Sequence, residues 1–333
     1  MPLPPDHDLL PQLRAAGLLV ETETAEFEPL SGGVSSDILL VRPSAGRPFV
    51  VKRALPKLKV KDDWFADPAR NRAEQDWFAL VGRVRPAAVP RLLHRDTDWF
   101  AMEFLEGDLT LWKSELLAGR ADGPHASAAG TFLGTVHRAT WDDPVARTTF
   151  ATGRNFHELR ISPYLLTAGE RLPALRSHFV AEAERLGATE LALVHGDFSP
   201  KNLMVGPSRF VVLDAEVAWF GDPAFDLSFL LTHLHLKALH RPDRADALLA
   251  LAPEFWMAYR AALGPRADAA LEARTVRLLL LLMLARVHGK SPVEYLAAER
   301  QAIVTQALSP QVPAPPATLA RFTAEWKAAI PSA

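Results

Sequence analysis

Two kinds of hydrophobic pattern divide the chain. Up to about residue 105 the apolar residues come in short runs that stop at glycine and proline, which predicts strands. Residues 28–41 predict strand, Gly-rich turn, strand, and residues 48–53 a further strand. Residues 90–94 and 98–105 predict two more. Residues 8–19 and 67–81 read instead as amphipathic helices. The second has a capping aspartate, a proline in its first turn and apolar residues at Ala73, Trp77, Leu80 and Val81. From Leu109 onward the helical period takes over. Helices are predicted over 126–138, 177–186, 226–239, 254–263 and 267–287, with a last helix after the proline-rich patch at 310–316. Leu227, Leu230, Leu231 and Leu234 place one apolar face on the 226–239 helix. The leucine run before Arg286 has no alternation and predicts a helix buried on all sides.

One stretch of the helical part breaks this pattern. Residues 191–205, LALVHGDFSPKNLMV, give a short apolar run, a polar loop and a strand; residues 206–208 supply turn chemistry, and 210–213 a second strand. The hairpin sets Asn202 at the mouth of its first strand and Asp214 at the end of its second. His195 and Asp197 sit on the preceding loop. Two carboxylates and an amide thus converge, all oxygen ligands of the kind Mg²⁺ prefers, with phosphates completing its shell. Asp197 and Asn202 are five apart and Asp214 follows twelve later. That spacing suits phosphoryl transfer, which needs a carboxylate to orient a hydroxyl and further oxygens to hold metal on phosphates.

Composition narrows the field. The chain has 333 residues, 49% hydrophobic and 23% charged, with a formal net charge of −2, which suits one large or two modest globular domains. The near-neutral charge argues against a nucleic-acid-binding surface. No cysteine is present, so disulfides, thiolate metal sites and thiol nucleophiles are excluded. The first residues lack the basic and apolar regions of a signal peptide, and the longest apolar run, 278–285, is too short to span a bilayer. A cytoplasmic protein with no membrane partner is expected. His233 and His235, two apart on a helix, point to different faces and are not expected to share a metal.

The first part of the chain carries matching pieces. Gly32 and Gly33 permit close backbone approach, and Ser35 and Ser36 add hydroxyls, so this turn can cover phosphates with N–H groups. Lys52 ends the strand after it. Glu74 lies near the apolar face of the following helix, where it could meet Lys52. A Lys–Glu pair that sets the lysine on nucleotide phosphates belongs to the same chemistry. The backbone of Glu103 and Leu105 is placed to meet an adenine edge.

Together, HGDFSPKN at 195–202, LDAE at 213–216 and GDPAFDL at 221–227 resemble the motifs of the aminoglycoside phosphotransferase/choline kinase-like family. The Gly32–Gly33 turn, Lys52, Glu74 and the 102–105 hinge match in order. The resemblance covers about residues 25 to 300. It implies an α+β, bilobal protein-kinase-like fold: a small, mainly β nucleotide-binding lobe over 1–105 and a large helical catalytic and substrate lobe over 106–333. It also implies an ATP- and Mg²⁺-dependent transferase that phosphorylates a hydroxyl of a small molecule. Asp197 resembles the catalytic base, Asn202, Asp214 and Glu216 the metal-binding positions, Lys52 the phosphate-binding lysine, and Asp226 a brace for the catalytic loop.

Glu216 departs from the commoner D-x-D and is similar to methylthioribose kinases, as are Arg160-Ile-Ser-Pro-Tyr164 and Arg286 ahead of a Gly-containing turn. Arg160, Tyr164 and Arg286 are therefore the expected acceptor residues, for a sugar-like, neutral to anionic metabolite. Charge points the same way: residues 141–333 hold 20 Asp plus Glu and 20 Lys plus Arg, without the carboxylate excess a polycation would want. Two rival readings remain. One is an aminoglycoside or choline-type kinase with a cationic substrate. The other is a nucleotide-binding module without turnover.

Overall fold

The computed structural model describes residues 6–30, 36–55 and 70–332. The chain divides into two compact units, Met1–Asp108 and Leu109–Ala333. Gly32, Gly33 and Ser35, expected to cover phosphates, lie outside the described residues.

The first unit begins with α1 (Asp6–Ala15) and β1 (Ala25–Pro29). It continues through β2 (Ser36–Pro43), β3 (Phe49–Ala54), α2 (Arg70–Val84), β4 (Leu92–Arg95) and β5 (Phe100–Glu103). The strands form one antiparallel sheet in the order β1-β2-β3-β5-β4. β3 is covered on both faces, which is why it reads as an unbroken apolar run. Phe49 and Val51 join Leu39, Val41 and Ala101 in a core with Leu9 and Leu13 of α1. The pleat sends Val50 and Lys52 to the opposite face. On α2, Glu74, Trp77, Phe78 and Val81 recur at helical spacing and are all buried, and Phe78 meets Phe100 edge-on at 6.3 Å.

The second unit opens with β6 (Thr110–Leu111), α3 (Trp112–Leu117), α4 (Gly123–Thr140) and α5 (Pro144–Thr149). A continuous helical segment follows: α6 (Gly153–Phe156), a π-helical stretch (His157–Leu166) and α7 (Thr167–Arg171). Then come α8 (Arg176–Gly187), β7 (Ala192–Val194), β8 (Leu203–Val205), β9 (Phe210–Val212) and β10 (Trp219–Gly221). The chain ends with α9 (Ala224–His240), α10 (Ala245–Leu263), α11 (Ala269–His288), α12 (Ala298–Leu308) and α13 (Leu319–Ala329). β8 pairs with β6 and β9, and β10 returns to pair with β7. Among the described residues no helix is long and apolar enough to cross a membrane.

Three features depart from the pattern-based expectation. α9 is not amphipathic: every residue but His240 is buried, including Thr232, His233, His235 and Lys237. α10 starts nine residues before the expected 254 and carries Pro253 inside it. The π-helical stretch and α12 are not expected from the sequence, the first because Pro163 reads as a break and the second because its apolar residues show little helical period. His137 of α4 is held in the core, its Nδ1 3.0 Å from the Tyr259 hydroxyl and its Nε2 3.6 Å from Asp226.

α4 and α10 pack at backbone contact through Gly130 and Gly134, one turn apart. A Cβ on Gly130 would lie 2.3 Å from the Phe255 carbonyl oxygen and 2.9 Å from the Tyr259 nitrogen. Neither neighbour is a side chain that can swing away. Gly130→Ala is therefore expected to destabilise the fold by about 1–3 kcal/mol, the usual cost of overpacking, read as a lowered urea midpoint. An unchanged midpoint would show that the two helices can separate freely.

Candidate active site

In the first unit the pleat and the helix period bring Lys52 and Glu74 together. The Lys52 ammonium lies 2.9 Å from one Glu74 carboxylate oxygen and 2.7 Å from the other, with both side chains buried. Ser36 starts β2 and is buried. The Glu103 N–H donates to the Arg91 carbonyl at 2.9 Å, and Leu105 follows in irregular chain just past β5.

In the second unit two loops carry the remaining candidates, one between β7 and β8, the other between β9 and β10. The strand pairing sets them side by side: β8 pairs with β9, β7 with β10, and the Leu213 N–H donates to the Asn202 carbonyl at 2.9 Å. Asn202 is thereby placed one residue from Asp214 across the hairpin. Its side-chain amide donates to the Asp197 carbonyl at 3.0 Å, which turns its oxygen the other way. Asp214 adopts the left-handed region at φ 64°, a conformation aspartate tolerates better than most residues. Glu216 is buried, and its carbonyl accepts from the Asn155 side chain at 3.0 Å.

The loop before Asn202 is held from beneath. The Asp226 carboxylate, near the start of α9, accepts the His195 N–H at 2.7 Å and the Gly196 N–H at 2.9 Å. His195 accepts the Asp197 N–H at Nδ1, 3.1 Å, and donates from Nε2 to the Leu213 carbonyl at 3.0 Å. Those two contacts assign the neutral Nε2–H tautomer. Burial pulls its pKa below the usual histidine value, against the opposing pull of Asp226, Asp197 and Asp214. Gly196 sits at φ 77°, where a Cβ would lie 2.4 Å from the Val217 carbonyl oxygen. Only glycine lets the two loops approach this closely.

Asp197 is buried, and one oxygen carries two cations. Its Oδ2 lies 3.0 Å from Arg160 Nη2 and 2.9 Å from the Lys201 ammonium. Among the described residues no partner meets Oδ1. Burial pushes the carboxyl up, but Lys201 and Arg160 outweigh it and hold the group below the usual carboxylate range. Lys201 is 47% exposed at its side chain; Arg160 is buried and also donates from Nη1 to the Leu159 carbonyl at 2.7 Å.

The three expected acceptor residues form a chain that ends on Asp197. The Arg160 guanidinium lies 5.8 Å from the Tyr164 ring centre, and the Arg286 guanidinium lies 5.6 Å from it. Arg286 Nη1 donates to the Tyr164 hydroxyl at 3.2 Å and to Ser291 Oγ at 2.9 Å. Burial would raise the Tyr164 phenol, but Arg286 and Arg160 outweigh it and lower its pKa. The π-helical stretch makes this possible: i→i+5 bonding widens the turn, and Pro163, which lacks an N–H, is accommodated within it. The side chain of Arg160 thus reaches the 195–202 loop, where its Nε donates to the Gly196 carbonyl. Lys201 was not singled out from sequence, although its position four residues after Asp197 was a usable signal.

The brace gives a direct stability test. Asp226→Asn replaces one acceptor oxygen by an N–H donor facing a backbone N–H. Buried donors left without acceptors cost about 1–3 kcal/mol, so thermal unfolding is expected to fall correspondingly. Unchanged stability would mean that Asp226 does not carry the loop.

Comparison with known proteins places these motifs in a family. A family model described as the phosphotransferase enzyme family matches residues 26–260, more than half of the chain. The methylthioribose kinase of Pectobacterium atrosepticum is 26% identical over 263 residues, 66% of this chain and 63% of that protein. The chain thus spans just under two thirds of that relative's length. The methylthioribose kinase of Exiguobacterium sibiricum is 25% identical over 289 residues, 76% of this chain and 72% of that protein. Among solved structures, Plasmodium vivax ethanolamine kinase superposes with a TM-score of 0.56 at 13% identity, covering 89% of this chain and 85% of that one. The ternary complex of APH(2")-IIa with streptomycin and ATP gives 0.54 at 14%, covering 92% and 98%. At such identities the structures speak for the fold alone, which is protein-kinase-like. The family match takes in Lys52, Glu74, Asp197, Asn202, Asp214 and Asp226 in one span, and by it the chain belongs to the phosphotransferase enzyme family.

Proposed function

We propose that the protein is an ATP-dependent kinase that phosphorylates a hydroxyl group of a small molecule. The observation that carries this reading is Asp197, a buried carboxylate held ionised by two cations on Oδ2, with Oδ1 left for a hydroxyl. A carboxylate in that state can take a proton from an alcohol. The alcohol oxygen then forms a bond to the γ-phosphorus as the bond to the β-phosphate oxygen breaks, and ADP leaves. Arg160 is the positioning residue: it fixes the carboxylate and keeps it charged. Lys201, partly exposed on the same oxygen, is placed to balance negative charge that grows on the transferring group.

In this reading Lys52, oriented by Glu74, binds nucleotide phosphates, as do Gly32, Gly33, Ser35 and Ser36. Leu105 and Glu103 meet the adenine. The donors Asn202, Asp214 and Glu216 fit a magnesium ion, since all three offer oxygen and the Asn202 amide nitrogen is already engaged with the Asp197 carbonyl. When bound, the ion supplies charge neutralisation on the nucleotide phosphates. The methylthioribose kinases among the relatives support a sugar-like acceptor.

Two measurements test the reading. Asp197→Asn cannot accept the hydroxyl proton. It is expected to retain ATP affinity while turnover, followed as ADP release, falls about 10²–10⁴-fold, the usual contribution of a general base. Normal turnover would make Asp197 structural. Calorimetry of ATP with and without Mg²⁺ checks the metal residues: Asp214→Ala should abolish the gain in affinity that Mg²⁺ confers. An undiminished gain would remove Asp214 from the metal site.

A further inference from the structure

One face of α9 runs from the brace Asp226 through Phe229 and His233 to Lys237, at helical spacing. The side chains along it are in contact with the Asp197 surroundings. The Phe229 ring lies 5.7 Å from Tyr164, 5.8 Å from the Arg160 guanidinium and 5.5 Å from His233. At the far end, the Lys237 ammonium lies 4.6 Å from the Tyr295 ring centre. Lys237 is 1% exposed, yet among the described residues its ammonium makes no hydrogen bond and no ion pair. The His233 imidazole likewise makes no hydrogen bond among them. Arg286 Nε and the Tyr295 hydroxyl are buried without a hydrogen-bond partner.

Four polar groups without such partners in one place are unusual for a protein interior, where polar groups are paired or penalised. All four can donate, and three are permanent or potential cations. The charges that act on His233 are those of Lys237, Arg286, Lys201 and Lys113, all positive. The nearby carboxylate acting on Lys237 is Glu294, which is itself paired with Lys113. Burial first, then Lys113 and Arg286, pull the Lys237 pKa down to about 7. The site is not sealed: His233 keeps 7% and Arg286 8% of its surface.

We propose that Lys237, His233, Arg286 and Tyr295 bind an anionic group, a carboxylate or a phosphate, carried by the molecule whose hydroxyl faces Asp197. The acceptor is then a hydroxylated anion rather than a cation or a neutral sugar. Anion binding stands on the unpartnered donors alone; only its assignment to the acceptor rests on the phosphotransfer reading. A buried lysine without an anion costs stability, so the site trades stability for binding.

Titration calorimetry of the full chain with inorganic phosphate and with acetate tests this, with ADP and Mg²⁺ saturating so that nucleotide positions are covered. One anion is expected to bind per chain, with Lys237→Met weakening it at least tenfold while the melting temperature without anion holds or rises. Tighter phosphate assigns a phosphate-bearing acceptor, tighter acetate a carboxylate. No anion binding to the wild type overturns the site, as does unchanged affinity in Lys237→Met. Lost binding with a lowered melting temperature also overturns it, since Lys237 is then a packing residue. Anion binding without any ATP turnover would keep the site and reject the phosphotransfer reading.

Discussion

A buried carboxylate held charged by two cations orders the loops around it in the second unit. Removing Asp197 from water favours its protonated form, and a protonated acid cannot accept a proton from an alcohol. Two cations on one oxygen reverse that preference. Their sources differ: Lys201 comes from the same loop, four residues on, and Arg160 from a helical segment well before it. The π-helical widening, the glycine at 196 and the aspartate at 226 all serve this placement. Each is costly taken alone. A π-helical stretch has poorer packing, a left-handed backbone is strained for most residues, and a fully buried aspartate needs partners.

α9 is the element that links these parts. Its first turn braces the backbone before Asp197, its middle carries Phe229 against Tyr164 and Arg160, and its last turns hold His233 and Lys237. A helix buried on all sides would ordinarily be apolar on all sides. Some of its polar residues have structural partners, Ser228 on the helix's own carbonyls and His235 on the Leu231 carbonyl and Thr323; Asp226 braces the catalytic-loop candidate.

The candidate site was more legible than the scaffold around it. Asp197, Asn202 and Asp214 could be found because hairpin turn residues and a fixed spacing mark them in one dimension. Lys52 stands out as the charge that ends an apolar strand, and the helix period places Glu74 near the apolar face where it could meet Lys52. The π-helical stretch was not legible, since no side-chain pattern encodes i→i+5 bonding, and Pro163 reads as a break. Arg160 was picked out for its local sequence as an acceptor residue; that it reaches Asp197 depends on that widened turn. The leucines of α9 suggested one apolar face, but burial on every side is decided by α10 and α11, which sequence periodicity does not place. The pairing of β10 with β7 was equally invisible, because three-residue strands carry too little pattern.

The central claim is that Lys201 and Arg160 together keep Asp197 ionised, so that losing either weakens the hold. The pH dependence of ATP turnover, compared between the wild type and Arg160→Met, tests it most directly. Asp197 has a lowered folded-state pKa, so turnover should persist into acid and fall only as pH drops through that value. Without Arg160 the value rises, so the acid limb should move to higher pH while ATP affinity is retained. An acid limb at the same pH in both proteins would contradict the account.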